Sequence, residues 1–268
     1  MTARYGVIGN PIEHSRSPWI HQQFAIQTGQ PIRYDRMLAP LDDFELTTRD
    51  FFSSGGKGLN VTVPFKQEAW ALCDVHSDHA KCAGAVNTLI PRAGKIEGHN
   101  TDGIGLVRDL TQNHHFALSD KRILILGAGG AVRGILQAIL AESPSSVILA
   151  NRTYSRAEAL VDLFCEWGPL IATRFDLLDK SYDLVINGTS ASLGGEIPAI
   201  PSSVISAQVV CYDMMYSATT TVFNQWAEEQ GCSHTLDGKG MLVEQAAESF
   251  FLWRGIRPET KRVLEQMV

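Results

Sequence analysis

An apolar run, Arg122-Ile123-Leu124-Ile125-Leu126, passes directly into Gly127-Ala128-Gly129-Gly130-Ala131 and then into a helical pattern over 130–140. Few folds accept that order. A glycine just after a buried strand permits a tight turn, and a second lets backbone approach a pyrophosphate. The helix that follows presents unbonded N–H groups and a positive dipole end to an anion. The chain is therefore read as α/β, with a nucleotide loop at the carboxyl end of a strand. The usual fingerprint has glycine or alanine three residues after Gly129, and here Val132 stands there. That predicts looser packing of helix on strand, or a variant loop.

The next strand, 146–150, bears on which nucleotide. A site for NAD carries an acidic residue at this strand's end, to bond the ribose hydroxyls. Here the chain continues Asn151-Arg152-Thr153, with Arg156 one turn further on. Two guanidinium groups and a hydroxyl suit a 2′-phosphate, which arginine grips with paired hydrogen bonds. The plainer alternative makes both arginines solvated charges. A helix N-terminus is a poor place for idle cations, so an anion partner is the better reading, and NADP the cofactor.

The first hundred residues repeat the α/β rhythm. Strands are predicted at 5–9, 32–38 and 58–63, with helices at 17–29 and 41–52 between them. Ser17-Pro18 reads as a helix start, with Ser17 the cap, and Gly29 as its stop. The alternation implies parallel strands joined by right-handed crossovers. Strands at 85–90 and 95–98 flank a turn, and Asp102-Gly103 opens a helix to 113. The polar stretch 112–121 is the expected domain hinge. Beyond the glycine loop come a helix at 155–167, strands at 183–187 and 208–212, and a Gly/Pro loop at 194–201. A helical tail starts at Lys239 and breaks at 255–258.

Chemistry concentrates at strand ends. Lys66 closes Asn60-Val61-Thr62-Val63-Pro64-Phe65-Lys66, and Asp102 follows in Asn100-Thr101-Asp102-Gly103. An ammonium oriented by a carboxylate exchanges a proton with a hydroxyl or carbonyl. Taken singly, Lys66 fits an exposed helix start and Asp102 a helix cap. Ser15 and Ser17 offer hydroxyls at a helix entrance, where a carboxylate would bind, although Ser17 as a plain cap reads equally well. Thr62, Asn87 and Asp102 are polar groups at strand ends that would read a polyhydroxylated ring. Gln245, in an apolar helix start, reads first as a surface residue. His76 and His79 lie one turn apart with no third ligand in pattern, so no metal site is expected.

Charge and cysteines exclude other classes. The balance is 23 − 29 = −6, with histidines neutral, against a nucleic-acid partner. Five scattered cysteines include no Cys-x-x-Cys pair, so neither a disulfide framework nor a zinc site is expected. No leader and no bilayer-length apolar run stands out, which predicts a cytoplasmic protein without a membrane partner.

Taken together, the motifs resemble shikimate dehydrogenases of the aromatic amino-acid pathway over essentially the whole chain. They are GNPIEHSRSP at 9–18, NVTVPFK at 60–66, GAVNT at 84–88, NTDG at 100–103, GAGGA at 127–131, NRT at 151–153, YDMMY at 212–216 and DGKGMLVEQAA at 237–247. The resemblance implies a substrate and catalytic domain over 1–102 with a mostly parallel sheet, joined by helices from 239–268. It implies a Rossmann-like NADP domain over 103–238. The implied reaction is reversible reduction of 3-dehydroshikimate to shikimate. Lys66 would be the acid–base residue with Asp102 its partner. Ser15 and Ser17 would hold the substrate carboxylate, and Thr62, Lys66, Asn87, Asp102, Tyr216 and Gln245 the ring hydroxyls. NADP would meet Gly127, Ala128, Gly129, Gly130, Ala131, Asn151, Arg152, Thr153 and Arg156, with Asp78, Met214, Gly238 and Met241 as further neighbours.

Two departures stand out. Val222 replaces a common proline, predicting a looser turn, and Lys239 replaces a common apolar residue. The alternatives are a quinate/shikimate dehydrogenase with broad cofactor use, or a catalytically silent nucleotide-binding regulator. Relatives of the first kind carry an acidic residue near the position of Thr153, and the intact Lys66 and Asp102 weigh against the second. A homodimer is compatible with the sequence and not dictated by it.

Overall fold

The computed structural model describes residues 2–178, 182–189 and 191–267. The chain forms two compact units, Met1–Gly105 with Leu242–Val268, and Leu106–Met241.

In the first unit, β1 (Ala3–Gly9), α1 (Ser17–Thr28), β2 (Ile32–Leu38), α2 (Phe44–Ser53) and β3 (Gly56–Val61) follow the predicted alternation. Strand β1 lies parallel to both β2 and β3. Two short helices that periodicity does not resolve come next, α3 (Lys66–Leu72) and α4 (Asp78–Ala83), with the two-residue β4 (Val75–His76) between them. β5 (Thr88–Arg92) and β6 (Lys95–His99) make an antiparallel hairpin. β5 also runs antiparallel to β3, and β4 parallel to β6. The resulting order, β2-β1-β3-β5-β6-β4, is a mixed sheet.

Helix α1 departs from expectation at its start. Ser17 is its first residue and not its cap, since Arg16 before it already has helical backbone angles. Pro18 still occupies the first turn, and Gly29, at φ +63°, ends the helix in the left-handed conformation glycine tolerates.

Helix α5 (Asp102–Arg108) carries the chain out of the first unit, and the division falls inside it. The stretch 112–121 lies wholly in the second unit and is not the hinge its polarity suggested. Leu118 within it is buried, as are Leu106 and Leu110 just ahead of it, so a few apolar anchors hold a mostly polar segment in place.

The second unit contains β7 (Arg122–Leu126), α6 (Gly130–Ala141), β8 (Ser146–Ala150), α7 (Tyr154–Phe164), β9 (Leu170–Thr173), β10 (Leu184–Asn187), β11 (Val210–Asp213), α8 (Val222–Glu229) and β12 (His234–Asp237). Its six strands are all parallel, in the order β12-β11-β10-β7-β8-β9. This is the doubly wound Rossmann-like arrangement, with its switch point between β7 and β10. Leu124, Leu126, Ile148, Val185 and Cys211 pack on one face against Phe223 and Ala227 of α8. Ile123, Ile125, Val147, Leu149 and Ile186 alternate with them and are equally buried. Burial on both faces is why these strands read as unbroken apolar runs. The turn before α8 is not loosened by the absent proline. Thr221 caps the helix instead, its hydroxyl accepting the Asn224 N–H at 3.3 Å.

Helix α9 (Lys239–Arg254) returns the chain to the first unit, Gly255 breaks it at φ +70°, and α10 (Lys261–Gln266) closes the fold. Val243, Ala246, Ala247 and Phe250 of α9 bury against Ile20 and Phe24 of α1. Further along α9, the Trp253 indole fills the space a side chain on Gly58 would need, 2.3 Å from where that Cβ would sit, and donates to the Leu89 carbonyl at 3.2 Å. The other side of the sheet holds Phe44 and Phe51 of α2, Phe65 just before α3 and Ala69 within it. The tail thus completes the first unit's core, which brings Gln245 and Ser249 beside the sheet.

Candidate active site

The carboxyl ends of β3 and β6 place Lys66 and Asp102 together. Lys66 Nζ lies 2.6 Å from Asp102 Oδ2, and both side chains are largely buried. Lys66 begins α3 and Asp102 begins α5. Lys66 is thus a helix start, though not an exposed one, and Asp102 is the first residue of its helix and not the cap; the two starts converge.

Asn87, between α4 and β5, fixes the other carboxylate oxygen. Its Nδ2 donates to Asp102 Oδ1 at 2.8 Å and to Thr101 Oγ1 at 2.9 Å. Its Oδ1 accepts the Thr101 backbone N–H at 3.0 Å and the Thr88 hydroxyl at 2.9 Å. A backbone N–H can only donate, so the amide has one orientation. The carboxylate is held on both oxygens, leaving little freedom for the ammonium it faces.

Gln245 belongs to this cluster and is not the surface residue it resembles in isolation. It is half-buried, and its Oε1 accepts from Thr101 Oγ1 at 3.4 Å. Thr62 follows β3, its backbone N–H bonded to Ile8 O and its hydroxyl uncommitted among the described residues. Ser15 and Ser17 frame the start of α1, the Ser15 hydroxyl accepting the Ser17 N–H at 3.3 Å. Arg36 of β2 grips the Ser15 carbonyl through Nε at 3.0 Å and Nη2 at 2.7 Å. Sequence reasoning missed Arg36, Asn60, Thr88, Thr101 and Ser249. Ser249 left a signal, a hydroxyl one helical turn after Gln245 on a face otherwise apolar.

In the second unit, Gly127 stands at φ +106°, and a side chain there would meet the Gly188 carbonyl at 3.1 Å. The loop after β7 therefore touches the loop after β10, at the switch point itself. Gly129 and Gly130 open onto free space, so backbone at the start of α6 is accessible to a ligand. Val132 is fully buried, and its methyl occupies the place a side chain on Gly188 would need, 2.4 Å away. The helix is not loosened by valine, because the missing side chain is on the facing loop.

Asn151 Nδ2 bonds the Thr153 carbonyl at 2.8 Å and holds the turn after β8. Arg152 and Arg156 are exposed, and among the described residues neither has an ion-pair partner. Thr153 occupies the cap position of α7 without making a cap bond. Two such cations at a helix N-terminus repel its dipole and each other, an arrangement stabilised by an anion. The open glycine backbone and this pair of guanidiniums fit a phosphorylated dinucleotide.

Met214 and Gly238 sit together at the same sheet end, a side chain on Gly238 meeting the Met214 carbonyl at 2.3 Å. Tyr216 is exposed in the loop after β11. Lys239 has its charge answered by Asp237, 3.6 Å away. Asp78 starts α4 in the first unit, paired with Lys81 at 3.1 Å. Buried Asp109 accepts the Tyr212 hydroxyl at 2.7 Å, and burial followed by that carboxylate pushes the phenol well above its ordinary range.

Three known families match the chain: a shikimate dehydrogenase substrate binding domain over 7–89, shikimate / quinate 5-dehydrogenase over 109–194, and a shikimate 5'-dehydrogenase C-terminal domain over 238–268. The shikimate dehydrogenase (NADP(+)) of Alkalilimnicola ehrlichii is 58% identical over 264 residues, 98% of each chain. Among solved structures, an Ael1 enzyme from Pseudomonas putida superposes with a TM-score of 0.96 at 44% identity, over 100% of this chain and 98% of that one. A shikimate 5-dehydrogenase from Thermus thermophilus, in complex with NADP(H) and shikimate, gives 0.87 at 28%, over 98% of each.

Proposed function

The chain belongs to the shikimate dehydrogenase family and is an NADP-dependent oxidoreductase of shikimate, and we propose that Lys66 and Asp102 carry its acid–base step. The observation behind this is the 2.6 Å contact between them, with the second carboxylate oxygen held by Asn87. When bound, NADPH would supply the hydride that the carbonyl carbon of 3-dehydroshikimate accepts. As the carbonyl oxygen gains negative charge, the Lys66 ammonium gives it a proton and the C3 hydroxyl forms. In the reverse direction neutral Lys66 takes that proton back. Asp102 keeps the ammonium aimed and accepts from a neighbouring substrate hydroxyl.

The Ser15 and Ser17 hydroxyls receive the substrate carboxylate in this reading. Thr62, Asn87, Gln245 and Tyr216 read the ring hydroxyls. The first unit is the substrate unit and the second holds NADP. Gly127 to Ala131 and α6 would hold the pyrophosphate, and Asn151, Arg152, Thr153 and Arg156 the 2′-phosphate and ribose. Asp78, Met214 and Gly238 are assigned to the nicotinamide side. Five free thiols support a reducing, cytoplasmic home.

Turnover followed at the NADPH absorbance band, with shikimate or quinate and NADP or NAD in all four pairings, tests the assignment. Activity confined mainly to shikimate with NADP is expected. Comparable rates with quinate or NAD would place the chain on the broad-specificity branch. Lys66→Ala is expected to lower kcat by on the order of 10³-fold while KM changes little. Near-normal turnover in that variant removes Lys66 from the mechanism.

A further inference from the structure

A chain of hydrogen bonds runs through the first unit from Tyr34 on β2 to the acid–base pair. Tyr34 donates to Asn60 Oδ1 at 2.8 Å, and Asn60 Nδ2 donates to Ser249 Oγ at 2.9 Å. Asn60 Nδ2 also donates to Thr88 Oγ1 at 3.2 Å, and Thr88 donates to Asn87 Oδ1 at 2.9 Å. Asn87 Nδ2 then meets Asp102 Oδ1 at 2.8 Å.

Every link has the same sense. The Asn60 amide is fixed because its Nδ2 also faces the Asn87 carbonyl at 3.2 Å, which can only accept. Tyr34 therefore spends its one proton on Asn60. The Thr88 proton is committed to Asn87, and Ser249 spends its own on the Gln245 carbonyl at 3.0 Å, so Asn60 reaches Thr88 directly. Aligned donors polarise one another, and the sum falls on the last acceptor. That acceptor is the Asp102 carboxylate.

We propose that Tyr34, Asn60 and Thr88 are positioning residues whose aligned hydrogen bonds draw charge from Asp102 and thereby set how readily Lys66 gives up its proton. The inference rests on Lys66 as the acid–base residue. Two amides interrupt the series, so it orients and polarises and does not conduct protons. The titratable groups along it are Lys66 on α3, Asp102 on α5, Tyr34 on β2 and His21 on α1. Strand β5 and helix α9 contribute neutral groups, Thr88, Gln245 and Ser249. His21 stacks on Tyr34 at 4.2 Å, and burial lowers it to about 3, so it brings no charge near neutral pH.

In the oxidation direction Lys66 must be neutral, so kcat rises with pH along the limb set by the pair. With the polarising donors removed, Asp102 holds the ammonium more firmly and the limb moves to higher pH. Tyr34→Phe and Thr88→Val are each expected to lower kcat about two- to fivefold below the limb, with recovery above it. Trp253→Phe, in the same aromatic layer but outside the series, should leave the limb in place. A merely structural role would lower the melting temperature or raise KM without moving the limb.

Lys66→Ala measured alongside separates the two readings. An active Lys66→Ala removes the acid–base assignment. An inactive one, with Tyr34→Phe and Thr88→Val folded and titrating as the parent does, removes the positioning series alone. A shift shared by Trp253→Phe also overturns it. If Tyr34→Phe does not fold, the limb of Thr88→Val decides.

Discussion

The functional ends of the two sheets are finished in opposite ways. In the first unit, Lys66, Asp102, Asn87, Thr88 and Thr101 bond one another, and both Asp102 oxygens are taken. In the second, Gly129 and Gly130 open onto free space, and Arg152 and Arg156 have no partner among the described residues. Proton transfer depends steeply on distance and direction, so its groups gain from being fixed before substrate arrives. An anion site gains from the reverse, since donors already satisfied within the protein have less to offer a phosphate. One end is organised by the chain, and the other waits for its ligand. Substitutions at the two ends should therefore fail differently.

The largest effect is expected where the network is fullest. Asn87→Ala removes donors and acceptors shared with Asp102, Thr101 and Thr88, all buried. An unsatisfied buried group costs about 1–3 kcal/mol, and more where a charge is involved. Asn87→Ala should lower unfolding stability by about 2–4 kcal/mol and kcat by on the order of 10²-fold. Chemical denaturation and steady-state kinetics on one preparation measure both. Lost activity with intact stability would show that the network is less coupled than its geometry indicates.

Arg152→Ala makes the contrasting cut. Its guanidinium is exposed and, among the described residues, unpaired, so its removal breaks no contact they make. The expected result is a roughly tenfold rise in KM for NADP, as for loss of one charge-assisted contact, with no loss of stability. KM for NAD, which lacks the 2′-phosphate, should barely move. Equal changes for both cofactors would mean that Arg152 does not face the 2′-phosphate.

Legibility in the sequence followed the same division. The nucleotide loop is local: strand, glycines and helix lie within twenty residues, and the two arginines stand one turn apart. Its geometry could be read almost directly. Lys66, Asp102 and Asn87 were legible as polar residues at strand ends. What joins them was not, because Asn60 meets Ser249 across 189 positions and Thr88 meets it across 161. No periodicity spans such distances. The outer strands β9 and β12 escaped for another reason: their residues are mostly part-exposed, so no buried run marks them as it marks β10 and β11, which are equally short. The expected hinge at 112–121 failed because polarity outweighed a few apolar anchors.

The smallest effect tests the same contrast on a single type of residue. Thr221 and Thr153 both occupy cap positions in the second unit. The Thr221 hydroxyl caps α8, whereas Thr153 makes no cap bond to α7, and α6 begins at glycine. The helix closed by its own side chain has no ligand assigned to it, and the two left open flank the proposed phosphates. Thr221→Ala should therefore cost about 1 kcal/mol of stability and leave NADP affinity unchanged. Thr153→Ala should cost under about 0.5 kcal/mol, there being no cap bond to lose, and weaken NADP binding severalfold. Thermal melts with and without NADP measure both quantities. If Thr153→Ala destabilised the free protein as much as Thr221→Ala, the hydroxyl at 153 would be serving the fold, and the second site would be less open than its unpaired groups imply.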